Sequence, residues 1–505
     1  MLEVTLLTLS LCTGTARAAV PTLSVQPYLQ APSATSMTVV WWTDTPSNRT
    51  RLRLWPADGG RRRSVHARDS TQQGLAGYRH EVELRGLSPG SRWHYQVRAN
   101  GGWTSTASFS TLPDDSDAVH IAFLGDGRTD DDEILARHRT VLEQAARADL
   151  VVELGDTVAL GDDDQWRAYL TGVLSAGHDD PAGPGSHTPT VHVVGNHELA
   201  STPSPPPPPD AGDDVYYAHA DTAAARFREV VVLPTEGVPD DLAERCYELD
   251  AGPVTLIALD LNNTSDDALD NHDLLADGST PDWEPGSAQH AWLLGALDRA
   301  QRRGAFTVVV SHPSPYSPGV HGTDDPDIDA QRGYELRSLM PTLLARGVDA
   351  FVSSHDHLAA AGVVGPAVGP GALPAAGAGA DADALPRLDP RDAGNMLVFV
   401  MGDSGAHSRS ADPRAAAWMA PSPDDPARFA ATWVYDWPDT DVRSPFSSHL
   451  VMDVAPLGGG RFAATFAVVR TDGARFAETR IERSLPDPGS GGAPPGVTPG
   501  APPPR

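Results

Sequence analysis

Val191-His-Val-Val-Gly-Asn-His-Glu198 decides how this chain is read: a short, mostly apolar run stops at glycine, and three side chains capable of chemistry follow. Such a run, bounded by a turn residue, suits a strand buried on both faces at the point where it leaves its sheet. The same grammar recurs on either side. Val119–Leu124 (VHIAFL) runs into Gly125-Asp126-Gly127-Arg128, and Leu150–Leu154 (LVVEL) into Gly155-Asp156. Phe306–Val310 (FTVVV) leads to Ser311-His312, and Ala350–Val352 (AFV) to Ser353-Ser354-His355-Asp356-His357. Val254–Leu259 (VTLIAL) and Leu397–Val400 (LVFV) are further runs of the kind.

Helical periodicity alternates with several of these strands. Ile134, Leu135, Val141, Leu142 and Ala145 recur at helical spacing between Asp131 and Asp149. Ser287–Arg303 places Trp292, Leu293, Leu297 and Ala300 on one face, and Gly304 stops it. Arg337–Ala345 is a third such segment, and Leu450–Ile481 returns to strand alternation, expected as the closing edge of a sheet. Upstream, Ser36–Trp42 (SMTVVWW), Arg51–Trp55, His80–Leu84 and Trp93–Val97 are short strands, with a tight turn at Leu87-Ser-Pro-Gly90. The predicted fold is therefore α/β over 114–484, a layered β-sandwich flanked by helices, preceded over 20–113 by a small all-β immunoglobulin-like sandwich.

Composition narrows the chemistry. The length of 505 residues suits roughly two to four domains. A formal charge of -29 disfavours nucleic acid and anionic membrane surfaces as partners. All basic side chains are Arg; without Lys, Schiff-base chemistry and a phosphate-loop lysine are excluded. With Cys12 and Cys246 the only cysteines, thiolate zinc sites are excluded too, and a metal would be held by His, Asp, Glu or Asn. Residues 1–19 read as a cleavable signal: Val4–Cys12 is too short to span a bilayer and Ala16-Arg17-Ala18 has the small-x-small pattern, although Glu3 spoils the basic start. The expectation is a secreted or periplasmic protein without stable membrane insertion. The Pro-rich 201–210, the Ala/Gly/Pro-rich 365–394 and the tail 485–505 read as unstructured spacers.

Ligands gather beyond the carboxyl ends of strands in layered α/β folds. Successive strand ends here offer Asp126, Asp156, Asn196, His312 and the pair His355 and His357 to one crevice. An isolated Gly-Asp is an ordinary turn and a lone His an ordinary surface residue; the order, the strand context and the Gly-Asn-His-Glu tetrad together point to a metal site. Mixed oxygen and imidazole ligands suit a pair of divalent or trivalent ions such as Fe, Mn or Zn.

In that order the motifs resemble those of the calcineurin-like metallophosphoesterases, more narrowly the purple acid phosphatase branch. Gln26-Pro-Tyr-Leu-Gln30, Met37–Thr43 and His80–Pro89 are similar to the fibronectin-like domain of those phosphatases, Gln289, Trp292 and Leu293 to a family helix, and His312–Gly322 to a histidine-containing substrate loop. The resemblance implies that Asp156 bridges two metals, the first also on Asp126 and His357, the second on Asn196, His312 and His355. It implies a substrate-side acid or hydrogen-bond donor at His197 and a substrate contact at His321. Three positions depart from it: Arg128 stands for Gly or a ligand His, Ala159 for the tyrosinate that colours the ferric site, and Ser354 for Gly. Asp130–Glu133 would be either a helix start, the expected role, or a source of a replacement ligand. Arg128 would either clasp substrate phosphate, the expected role, or turn outward to Asp130 or Asp131. The expected activity is hydrolysis of a phosphorylated small molecule or other phosphate ester by metal-activated water; a phosphodiesterase using the same site, or a degenerate cell-surface binding protein, are the alternatives.

Overall fold

Alternate side chains of the buried runs face different cores, as the period of a strand requires. The computed structural model describes residues 22–47, 50–70, 72–99, 102–177, 182–203, 216, 219–262, 280–322, 333–365, 394–407, 429–434 and 447–484. In it Phe306, Val308 and Val310 enter one core and Val309 another; Leu256 and Ala258 part in the same way from Ile257, and Val352 from Phe351. The second core is covered by Trp292, Leu293, Ala296 and Leu297 of the helix Ala288–Arg303. The first lies between two sheets, and Phe399 stacks on Phe466 across it with ring centroids 5.5 Å apart.

One sheet has the order Thr190–His192, Leu150–Glu153, Val119–Leu124, Ser448–Gly458, Arg461–Arg470, Arg475–Ser484. The other runs Tyr247–Ala251, Val254–Ala258, Phe306–Val310, Ala350–Ser353, Met396–Met401, Ala359–Val364, Phe429–Val434. The first three strands of one sheet pair in parallel, as do four central strands of the other. Parallel pairing is what matters for function, because it delivers their carboxyl ends to a common edge. The C-terminal alternation is three strands, and Ser448–Gly458 pairs antiparallel with Val119–Leu124 in mid-sheet, so only Arg475–Ser484 forms the expected edge.

Helix boundaries follow local chemistry. The Asp131 carboxylate accepts from the N–H groups of Glu133 and Ile134, both at 2.9 Å, and starts the helix Asp132–Ala145. The acidic run there is thus a helix start. Ser287 caps the helix Ala288–Arg303, and Gly304 ends it in the left-handed region at φ 72°. Arg337–Ala345 divides into a 3₁₀ turn, Tyr334–Leu339, and an α-helix, Met340–Ala345. Pro341 has no N–H to bond the Arg337 carbonyl, so the α-helical ladder cannot cross that junction.

Residues 23–110 form an all-β sandwich of two antiparallel sheets around Leu29, Met37, Val39, Trp41, Leu52, Tyr95 and Phe109. Tyr28, Val40 and Trp42 face away from that core and join the large core of the second domain. Beside them the Tyr28 hydroxyl donates to the Val230 carbonyl at 2.9 Å, and Gln30 donates to Thr190 Oγ1 at 2.8 Å and accepts from the Val232 N–H at 3.2 Å. The Gln26–Gln30 segment is therefore a docking surface between domains. Cys246 is a buried free thiol. No described helix is long and apolar enough to cross a membrane. The candidate leader, nearly all of both internal spacers and the tail lie outside the described residues.

Candidate metal centre

Asp126, Asp156 and His355 leave their strand ends with φ of 54°, 52° and 74°, and Arg128 has φ 59°. These are four of the seven described non-glycine residues with positive φ. Backbone of this kind costs roughly 1–3 kcal/mol per residue, and such strain clusters at functional sites. Cross-loop bonds hold it. The Asp126 N–H donates to the Gly155 carbonyl and the Arg128 N–H to the Asp156 carbonyl, both at 3.0 Å, and the His355 N–H donates to Asp126 Oδ2 at 2.7 Å.

The side chains form two groups that share Asp156: Asp156, His312 and His355, and Asp126, Asp156 and His357. Within each, one ligand atom per residue lies within 4.8 Å of the others. His312 shows why a cation suits the first group. Its Nδ1–H donates to the Leu154 carbonyl at 2.9 Å, which leaves the Nε2 lone pair facing Asn196 Oδ1 at 3.0 Å and Asp156 Oδ1 at 3.3 Å. Burial pushes its pKa down despite the Asp156 charge, so the ring stays neutral and three lone pairs converge. His355 Nδ1 lies 3.1 Å from the same Nε2. Burial also opposes ionisation of Asp156, yet His197, His312 and Arg128 hold its carboxyl well below the usual range. These residues fit a hard or borderline cation.

In the second group His357 Nε2 is 3.3 Å from Asp126 Oδ1. Arg128 reaches into it: Nη2 donates to Asp156 Oδ2 at 3.1 Å and stands 3.2 Å from His357 Nε2. The arginine thus turns inward, away from Asp130 and Asp131.

His197 sits on the rim. Its Nδ1–H donates to the Ala159 carbonyl at 2.5 Å, so Nε2 is the atom left for a substrate. Burial and the Arg128 charge push its pKa down to about 4, against the pull of Asp156. The carbonyl of Ala159, where the resemblance puts a tyrosinate, orients His197. His321 lies against His355 with ring centroids 3.9 Å apart. Its loop is tied to the buried Asp356, whose carboxylate accepts from the Ser317 hydroxyl. The Ser354 hydroxyl, where the resemblance has glycine, donates to the Leu154 carbonyl at 2.8 Å beside His312.

Two structural supports escaped the sequence reading. The Glu198 carboxylate accepts from the N–H groups of Gly195 at 2.7 Å, Asp156 at 2.8 Å and Thr157 at 2.7 Å, joining two ligand loops. Burial and Asp156 push its pKa up to about 8, while those donors pull it down. Gly195 belongs to the same device, since a Cβ there would stand 2.4 Å from Asp156 N and Oδ1. The loop after Met396–Met401 is the other: Ser404 and Ala406 N–H groups donate to the carbonyls of Gly125 and Asp126 at 3.2 and 2.8 Å. Its Gly402-Asp403 follows an apolar run, so the strand-end grammar could have found it.

Residues 119–359 match the family described as calcineurin-like phosphoesterase, and residues 23–111 match the purple acid phosphatase N-terminal domain. Residues 119–359 form a calcineurin-like phosphoesterase domain. The chain is an enzyme of the phosphoester hydrolase class, with a mixed α/β catalytic fold behind an all-β domain. Purple acid phosphatase PPD1 from yellow lupin (Lupinus luteus) seeds is similar over 92% of this chain and 75% of its own, at TM-score 0.61 and 15% identity. A structure of PhoD is similar over 94% and 95%, at TM-score 0.57 and 13% identity. At such identities the likeness is one of fold. No curated protein matches this phosphoesterase in sequence at a significant level.

Proposed function

We propose that this phosphoesterase hydrolyses phosphate monoesters of small molecules at the Asp156-centred cluster, with water as the nucleophile. The observation that carries the reading is the convergence of His312 Nε2, Asn196 Oδ1 and Asp156 Oδ1, an arrangement that suits the ligands of a cation. Asp156, Asn196, His312 and His355 would hold one ion; Asp126, Asp156 and His357 have the ligand types of the second ion expected from the sequence, but Arg128 reaches in among them. Bound cations supply Lewis acidity toward the phosphoryl group and lower the pKa of the attacking water.

The chain's own residues do the rest. Arg128 places a permanent positive charge beside the Asp156 carboxylate and draws phosphate into a protein whose net charge opposes it. His197, anchored through Nδ1, presents Nε2 to the leaving oxygen, and a phosphate dianion beside it raises the tendency of Nε2 to carry a proton. Protonated there, the ring donates to the departing alkoxide. His321, packed against the His355 ring, is placed to contact the substrate beside it.

The test is a panel of chromogenic mono- and diesters with Mn, Fe, Zn or Ca added to stripped protein, repeated on His312→Ala. Monoester hydrolysis that vanishes with chelation and with His312→Ala is expected. Activity that survives both removes the metal reading, and a preference for diesters moves the assignment to phosphodiesterase.

A further inference from the structure

We propose that Arg128 is a built-in cation for the half-site of Asp126, Asp156 and His357, so that one metal ion binds tightly, on Asp156, Asn196, His312 and His355. The inference deepens the metal-dependent reading above and rests on it. A guanidinium carries no lone pair and keeps its proton, so it substitutes for the charge of an ion and not for its ligand-binding chemistry.

The first ground is geometry. Arg128 Nη2 lies 3.1 Å from Asp156 Oδ2 and 3.2 Å from His357 Nε2. A lone pair on His357 Nε2 that accepts an N–H is not available to a metal. The second is enforcement. Arg128 holds φ 59° because its N–H is bonded to Asp156 and its carbonyl accepts from His138 Nδ1 at 3.3 Å. His138 is fixed from behind by Glu153 at 3.3 Å, and a Cβ on Gly127 would stand 2.3 Å from the His138 ring. The arginine is therefore built into its place by the buried His138, Glu153 and Asp156. The third is charge. Asp126 and Asp156 are fully buried carboxylates. A guanidinium with one divalent ion already exceeds their combined charge, and a second divalent ion would meet the guanidinium at contact distance.

Metal stoichiometry tests this without recourse to activity. Mn²⁺ or Zn²⁺ alone is titrated into the stripped full chain by calorimetry and by dialysis with elemental analysis. The expected result is one ion per chain, with a second binding about a hundredfold more weakly or worse. Arg128→Ala and Arg128→His are expected to take two ions. In the wild-type background His355→Ala should lose the tight ion and His357→Ala should keep it, which decides the matter even where the Arg128 variants do not fold. Two ions bound by the wild type within tenfold of each other would overturn the proposal, as would equal loss of one ion from His355→Ala and His357→Ala. Folded Arg128 variants that still take one ion would overturn it too. Those outcomes leave the metal-dependent reading standing, whereas a wild type that binds no ion sinks both.

Discussion

Glu198→Gln exchanges one carboxylate oxygen for an NH₂ group and leaves the volume unchanged. Both oxygens are in use: Oε2 accepts from Gly195 and Asp156, and Oε1 from Thr157. Whichever way the amide turns, its donor side faces one or two backbone N–H groups in a fully buried place. Each buried donor left unmet costs about 1–3 kcal/mol, so the variant should lose about 2–4 kcal/mol of stability. The damage falls on the Asp156 backbone, and support of this kind is worth about tenfold to a hundredfold in metal affinity. Urea unfolding of the metal-free proteins reads the first effect, and Mn²⁺ calorimetry the second. Glu198→Asp keeps the carboxyl group but shortens the reach, and should fall between. If Glu198→Gln matches the wild type in both midpoint and Mn²⁺ affinity, the carboxylate does not hold the loops together.

Other expectations are as direct. His197→Ala should slow alkyl phosphates more than nitrophenyl phosphate, because a proton donor matters most for a strongly basic leaving group; equal losses would assign the ring to binding. Iron-loaded protein should show no intense visible tyrosinate band, since position 159 is alanine, and a purple preparation would mean that another tyrosine reaches the metal. Burial opposes the ionisation of Glu153, but His138, His192 and Tyr169 hold its pKa down at about 2. A depressed carboxylate adds stability that is complete above its unfolded pKa of about 4.5 and is lost as pH falls toward 2, here about 3 kcal/mol. Glu153→Gln should accordingly be less stable than wild type at pH 6, with the gap closing by pH 2, as followed by unfolding at each pH; a gap that does not change with pH would remove the charge from the explanation.

Much of this architecture was legible because its causes are local. A strand buried on both faces must be short and apolar, and a glycine after it must mark the exit; Val191–Glu198 shows both within eight residues. Given parallel pairing, the groups after such strands converge, so Asp126, Asp156, Asn196, His312, His355 and His357 could be gathered from order alone. Asp131, Ser287 and Gly304 likewise announce helix ends through bonds that reach no further than three residues.

Tertiary structure alone decided what depends on residues distant in sequence. The Ser448–Gly458 strand sits beside Val119–Leu124 through pairing across more than three hundred residues, which no local pattern specifies. Gln26–Gln30 carries only a family resemblance in the sequence, and the structure alone shows Val230, Val232 and Thr190 receiving it. Arg128 could point outward or inward on its sequence. Its direction is set by the Asp156 carbonyl, the His138 ring and the buried carboxylates, each brought to it by a different strand or helix. Ligand types are properties of residues, but the direction of a long side chain is a property of everything packed around it.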